Sequence, residues 1–136
     1  MTLLLPAEIE TAMIEHAAQG RPEEVVGVLA GEYDEGRSRV ERRYRAENAA
    51  TRPRVRYEIA PEEELGVLEA IDDDGLDVVG FYHSHPRGPL EPSAVDAELA
   101  AWPGYSYVIV SLESEAEVGS WRWDGEAFDR EPIHRR

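Results

Sequence analysis

The chain has 136 residues, with no cysteine and no lysine, and its 29 acids against 14 bases, all arginine, give a formal charge of −15. Structural zinc fingers and disulfide scaffolds need cysteine, and a phosphate backbone is bound through a basic patch, so this composition argues against both classes and against nucleic acid as a partner. The length suits one domain burying roughly two-thirds of its unfolded surface. No apolar run reaches the ~18 residues of a membrane span, and Met1–Pro6 lacks the basic start and length of a signal peptide, so no membrane partner and a cytoplasmic location are expected. A surface this acidic and free of lysine suggests a salt-rich cytoplasm, as in halophilic archaea, where ions screen the repulsion; a high-GC bacterium is the competing source.

In chain order, Pro6, the first-turn acids Glu8 and Glu10, the Ile9/Ala12/Met13/Ala17 stripe and Gly20 predict a helix over 6–19 that covers one sheet face. His16 sits at the same helical spacing and reads as an edge of the core. Residues 25–33 and 38–47 flank the turn sequence Asp34-Glu35-Gly36 and predict a hairpin. Val55, Tyr57 and Ile59 alternate with Arg and Glu and predict a third strand. Pro61 followed by three glutamates opens a second helix with Leu65, Leu68 and Ile71 inward, stopped by Asp72-Asp73-Asp74-Gly75. Residues 76–82 and 105–112 are short apolar runs, expected as central strands buried on both faces. Residues 117–123 alternate and predict a half-exposed strand carrying Trp121 and Trp123 on one face, with Asp124-Gly125 as a turn. These elements predict a mixed α/β fold: a single domain over 1–136, a mixed β-sheet with helices on both faces, and a flexible polar tail over 130–136.

One string stands out. His83 and His85 are two positions apart at the end of a predicted strand, so an extended backbone points both imidazoles to the same side. A short loop stiffened by Pro86, Gly88, Pro89 and Pro92 follows, and Ser93 opens a segment with a helix N-terminus, placing Asp96 in its first turn. Two histidines and one carboxylate are ligands that leave a fourth tetrahedral position of zinc open to water, as in catalytic rather than structural sites. Each residue also has a plain structural reading: Ser93 as an N-cap, Asp96 as the other half of a capping box, the histidines as loop residues. Their joint spacing favours the metal.

The arrangement His-x-His, seven residues, Ser, two residues, Asp resembles the signature of the JAMM (MPN-plus) metalloprotease family. That family also has an upstream glutamate three residues before a glycine in an apolar strand, which in this chain is Glu24, ahead of Gly27. The resemblance implies a cytidine-deaminase-like fold, one zinc ion per chain held by His83, His85 and Asp96, Glu24 as general base and proton shuttle, and Ser93 as a stabiliser of the oxyanion. It implies a zinc-dependent isopeptidase or endopeptidase that removes ubiquitin-like modifiers ending in diglycine from target lysines. Trimming the C-terminus of ubiquitin-like sulfur-carrier proteins is the near alternative, and a non-catalytic MPN scaffold, which generally lacks metal ligands, is the reading from another class. A nucleoside deaminase needs a Pro-Cys-x-x-Cys partner and is excluded by the absence of cysteine. The oligomeric state, homodimer included, is left open.

Overall fold

The computed structural model describes residues 1–135. Its elements are β1 (Thr2–Leu5), α1 (Ala7–Gly20), β2 (Val26–Glu32), β3 (Arg37–Ala46), α2 (Pro61–Asp73), β4 (Asp77–His85), α3 (Ala94–Leu99), β5 (Ser106–Ser111), β6 (Glu117–Trp123), β7 (Phe128–Glu131) and β8 (Ile133–Arg135). They build an eight-stranded sheet in the order β7-β6-β5-β4-β2-β3-β1-β8. The β1–β3, β1–β8 and β4–β5 pairs are parallel and the rest antiparallel, so the sheet is mixed as expected.

Helices cover both faces. Met13 and Ala17 of α1 pack on one side with Leu29, Val79, Tyr82, Val108 and Val110. Ile71 of α2 packs on the other with Val28, Ala30, Phe81 and Tyr107, and Ala97 of α3 joins them. Adjacent residues of β2 thus feed opposite layers, as the two-residue period of a strand requires. A bulge between Leu29 and Ala30 in the pairing with β4 lets both Val79 and Tyr82 face α1, with Phe81 and His83 turned to the other side. Gly80 is needed where β4 meets β5, because a Cβ there would lie 2.0 Å from the Ser106 carbonyl oxygen.

Several expectations are corrected. Residues 55, 57 and 59 form no strand: Asn48 donates to the carbonyls of Glu24 and Arg56 and accepts from Ala50 and Glu58 N–H, so a side chain supplies the partners a ladder would have supplied. Leu65 is 58% exposed; α2 buries Ile71 and half-buries Val67 and Leu68 instead. β6 is buried at every position after Glu117, because β7 covers its outer edge, Phe128 packs on Trp123, Val118 joins the core under α1 and Arg122 is paired with Glu131. The flexible tail expected over 130–136 is ordered through Arg135, with Glu131 in β7 and 133–135 paired to β1; Arg136 lies outside the described residues. β1 was unforeseen, since four residues are too few to show a period.

The C-terminal strands are held by a buried charge. Arg122 Nε donates to Glu131 Oε1 at 2.8 Å, and the other carboxylate oxygen accepts from Ser106 Oγ at 2.6 Å and Ser120 Oγ at 2.7 Å. The guanidinium also donates to the Gly104 carbonyl at 3.0 Å and to Ser38 Oγ at 3.3 Å, joining β3, β6 and β7.

Candidate active site

Strand β4 carries both histidines to the sheet's end, and α3 brings the carboxylate back over them. His83 and His85 are 2% and 6% exposed and Asp96 2%. The His83 and His85 Nε2 atoms are 3.2 Å apart, and Asp96 Oδ2 lies 3.2 Å from the first and 3.0 Å from the second. Three ligand atoms on a triangle of this size match a first-row metal held at ~2.0–2.2 Å, whose tetrahedral ligands stand about 3.3 Å apart. They could hold a metal ion.

The surroundings fix each ligand. His85 Nδ1–H donates to the Pro89 carbonyl at 2.9 Å, which turns Nε2 toward Asp96 and His83. His83 is stacked under Tyr57, with ring centroids 4.4 Å apart and planes 22° apart. Ser93 caps α3: its Oγ accepts from Asp96 N–H at 3.0 Å, and its own N–H donates to Asp96 Oδ2 at 2.9 Å. The capping box and the ligand triangle therefore share one carboxylate oxygen. Burial alone would raise the Asp96 pKa; hydrogen bonds from the two imidazoles and from Ser93 N–H outweigh it and hold the carboxyl far below its usual range.

Glu24 reaches the same place by strand pairing. Val26 pairs with His83, and one step on, Val25 N–H donates to Ser84 Oγ at 2.9 Å while Ser84 N–H donates to the Val25 carbonyl at 3.1 Å. Continuing that antiparallel register sets Glu24 opposite His85. Its backbone is pinned by its own N–H to the Pro53 carbonyl at 2.7 Å and by Asn48. The side chain is 6% exposed and its Oε1 is buried without a hydrogen-bond partner. Burial raises its pKa from 4.5 to about 7, with His85 pulling down and Asp96 pushing up by lesser amounts. Glu24, His85 and Ser93 line one open cleft of about 370 Å³ together with Arg54, Val55, Arg87 and Glu91.

All five residues singled out in the sequence are thus brought together. Tyr57, Asn48 and the Pro89 carbonyl were missed. Tyr57 looked like one member of an alternating strand, and nothing in a sequence distinguishes an aromatic that stacks on a ligand from one that fills a core. His16 stays out of the site: it is buried against α1's sheet face, with Nδ1 2.7 Å from Tyr82 Oη, and burial with the Arg45 and Arg43 charges lowers its pKa to about 4.

A centre of two histidines and one aspartate beside a buried glutamate, at the end of a mixed sheet between helices, is that of a metallohydrolase. Residues 6–124 match the family described as prokaryotic homologs of the JAB domain, and the chain belongs to that family of JAMM-type peptidases. It is similar to a desampylase of Haloferax volcanii, 44% identical over 126 residues that cover 90% of this chain and 89% of the relative. A CysO-cysteine peptidase of Mycobacterium tuberculosis is 36% identical over 134 residues, covering 97% and 90%. The solution structure of a Desulfitobacterium hafniense protein superimposes with a TM-score of 0.89 at 32% identity, covering 100% of this chain and 93% of that one. The chain is accordingly a hydrolytic enzyme of the JAMM peptidase class.

Proposed function

We propose that this chain is a zinc-dependent isopeptidase that releases small ubiquitin-like modifiers ending in diglycine from target lysines. The observation that carries the reading is Glu24, a buried carboxylate with one oxygen lacking a hydrogen-bond partner, in a cleft it shares with His85, one of three convergent ligands. His83, His85 and Asp96 would hold the zinc. When bound, zinc supplies a lowered water pKa, near 7, and polarises a carbonyl.

The other steps belong to the chain. Glu24 takes a proton from the attacking water and passes it to the leaving amine, a task that suits a carboxylate whose pKa has been raised toward neutrality. Ser93 Oγ uses a lone pair to accept from Asp96 N–H, so its own O–H remains to donate to the carbonyl oxygen as negative charge builds there. The Pro89 carbonyl and Tyr57 keep the two imidazoles in place while this happens.

The test is incubation with a modifier–target conjugate, before and after chelation and zinc restoration. Cleavage that survives chelation, or that is undiminished in Glu24→Ala or Asp96→Asn, removes the reading. A second substrate is favoured by the mycobacterial relative, named a CysO-cysteine peptidase: trimming of a C-terminal residue from a ubiquitin-like sulfur carrier. Mass spectrometry separates the two, because trimming and isopeptide cleavage leave different masses. A scaffold without activity is disfavoured by the complete ligand set, and metal analysis at neutral pH tests it. The haloarchaeal relative and the acidic, lysine-free composition support a salt-rich archaeal cytoplasm as the setting. Among the described residues no helix is long and apolar enough to cross a membrane.

A further inference from the structure

Charge is distributed unevenly along this chain. Residues 37–56 hold eight of the fourteen arginines and two of the 29 acids, Glu41 and Glu47, so a protein of net charge −15 contains one segment of net charge +6. β3 carries five of the eight, and two of those, Arg39 and Arg42, are paired with Glu32 and Asp74. The other three, Arg52, Arg54 and Arg56, alternate along the loop that follows.

That loop is a fixed turn at the mouth of the site. The Arg52 carbonyl accepts from Val55 N–H at 3.2 Å and from Arg56 N–H at 3.1 Å, which gathers the three arginines into one turn of chain. The Pro53 carbonyl accepts from Glu24 N–H at 2.7 Å, and the Arg56 carbonyl accepts from Asn48 Nδ2 at 2.9 Å. The next residue is Tyr57, stacked on His83. Arg54 and Val55 line the cleft of Glu24 and His85, and Val55 leaves 57% of its surface exposed. On the other flank Arg56 Nη2 comes within 4.0 Å of Glu98 Oε2 on α3.

A positive turn set in a negative surface orients what it attracts. A partner with an acidic face is repelled by the rest of the chain, where 27 acids stand against six arginines, and is drawn in at the turn. A basic partner would be drawn to most of the surface and aligned by none of it. In a conjugate the modifier is the constant half, whereas the surface around each target lysine differs, so a turn held in one conformation suits the modifier. We infer that the turn at 52–56 docks an acidic face of the ubiquitin-like modifier, beside the tail that enters the cleft, with Val55 as its apolar contact. This rests on the isopeptidase reading above and adds to it which modifiers the enzyme accepts.

The experiment uses the zinc-loaded enzyme and an acidic ubiquitin-like modifier ending in diglycine, joined to the lysine of a short peptide without other charges. A second conjugate carries the same modifier with the Asp and Glu residues flanking its tail replaced by Asn and Gln, and a third pairs the unaltered modifier with a peptide to which glutamates are added. Wild-type enzyme should show a KM about tenfold lower for the first conjugate than for the second, with kcat within about twofold, the size of a few exposed charge pairs acting together. The difference should shrink as sodium chloride is raised, because the charges are exposed and screened. It should fall toward unity in Arg52→Gln/Arg54→Gln/Arg56→Gln and be largely kept in Arg52→Lys/Arg54→Lys/Arg56→Lys, which retains the charges and checks that the turn tolerates substitution. Equal KM for the first two conjugates overturns the inference, as does a difference that the Gln variant or salt leaves intact. A KM lowered further by the glutamates of the third conjugate overturns it too, since the turn would then face the target. Cleavage without these differences removes the inference alone; no cleavage of any conjugate removes the isopeptidase reading with it.

Discussion

Tyr57 lies flat on His83, 4.4 Å between ring centroids, and so shields one face of a candidate metal-ligand imidazole from water and from rotation. Its hydroxyl makes no hydrogen bond among the described residues. Removing the ring in Tyr57→Ala should weaken zinc binding by about tenfold, the low end of what outer-shell partners contribute. Tyr57→Phe should stay close to wild type. A competition titration against a chelator measures both, and equal affinity in the Ala variant would show the stack to be packing only.

Glu24 makes a prediction about rate and another about stability. Glu24→Gln should lower kcat by about 10²–10⁴ while the zinc content is kept, because the base is lost and the ligands are not. In the metal-free protein the folded state holds the Glu24 proton more tightly than the unfolded chain does, since its pKa goes from 4.5 to about 7. Stability contributed by that proton is full below pH 4.5 and is lost as pH rises through 7. Relative to wild type, the metal-free Gln variant should therefore gain stability across this window, by up to about 3 kcal/mol. Paired urea titrations of wild type and variant at pH 5 and pH 8 check the sign; a difference that does not change between them would contradict the burial argument.

Ser93 has two jobs that can be separated. Ser93→Ala should cost about 1 kcal/mol of stability through the lost cap, and about 10²–10³ in kcat through the lost donor. Glycine is a tolerable N-cap, costing only a few tenths of a kcal/mol relative to serine, but has no hydroxyl. Ser93→Gly should then keep most of the stability and still lose the rate. If its kcat is normal, the serine acts as a cap alone.

Arg122 and Glu131 test the ordered C-terminus. Both are 2% exposed, so Arg122→Ala strands a carboxylate in the interior and should cost about 3–5 kcal/mol in a denaturation experiment. Ser106, which shares the Glu131 carboxylate, begins β5, whereas His85 pairs with Ser111 at the strand's other end. Protein that remains folded should accordingly keep its zinc. A loss under 1 kcal/mol would mean that the network adds little to the fold.

The metal string was legible because its parts are close in sequence and each obeys a local rule. Two histidines at strand spacing share a side, prolines and glycine stiffen the loop, and Ser93 with Asp96 begins a helix. The hairpin of β2 and β3, the helices α1 and α2, and the central β4 and β5 were legible for the same reason: length and periodicity together exceed chance. The reading failed where a side chain replaced a ladder, at Val55, Tyr57 and Ile59 around Asn48, and where pairing came from far along the chain, at β1 and β8. Leu65 shows a further limit, since apolar spacing on α2 left open which of two adjacent stripes meets the sheet.

By itself the sequence marked the residues proposed to carry the chemistry: His83, His85, Asp96 and, through family resemblance, Glu24 and Ser93. Only the tertiary structure decided that Glu24 stands beside the proposed metal ligands, buried and with one oxygen lacking a hydrogen-bond partner, and that Tyr57 and the Pro89 carbonyl pack against and bond to the imidazoles. Local rules act over a few residues along the chain, whereas the approach of residue 24 to residue 85 depends on antiparallel register between β2 and β4, which the packing of both sheet faces imposes.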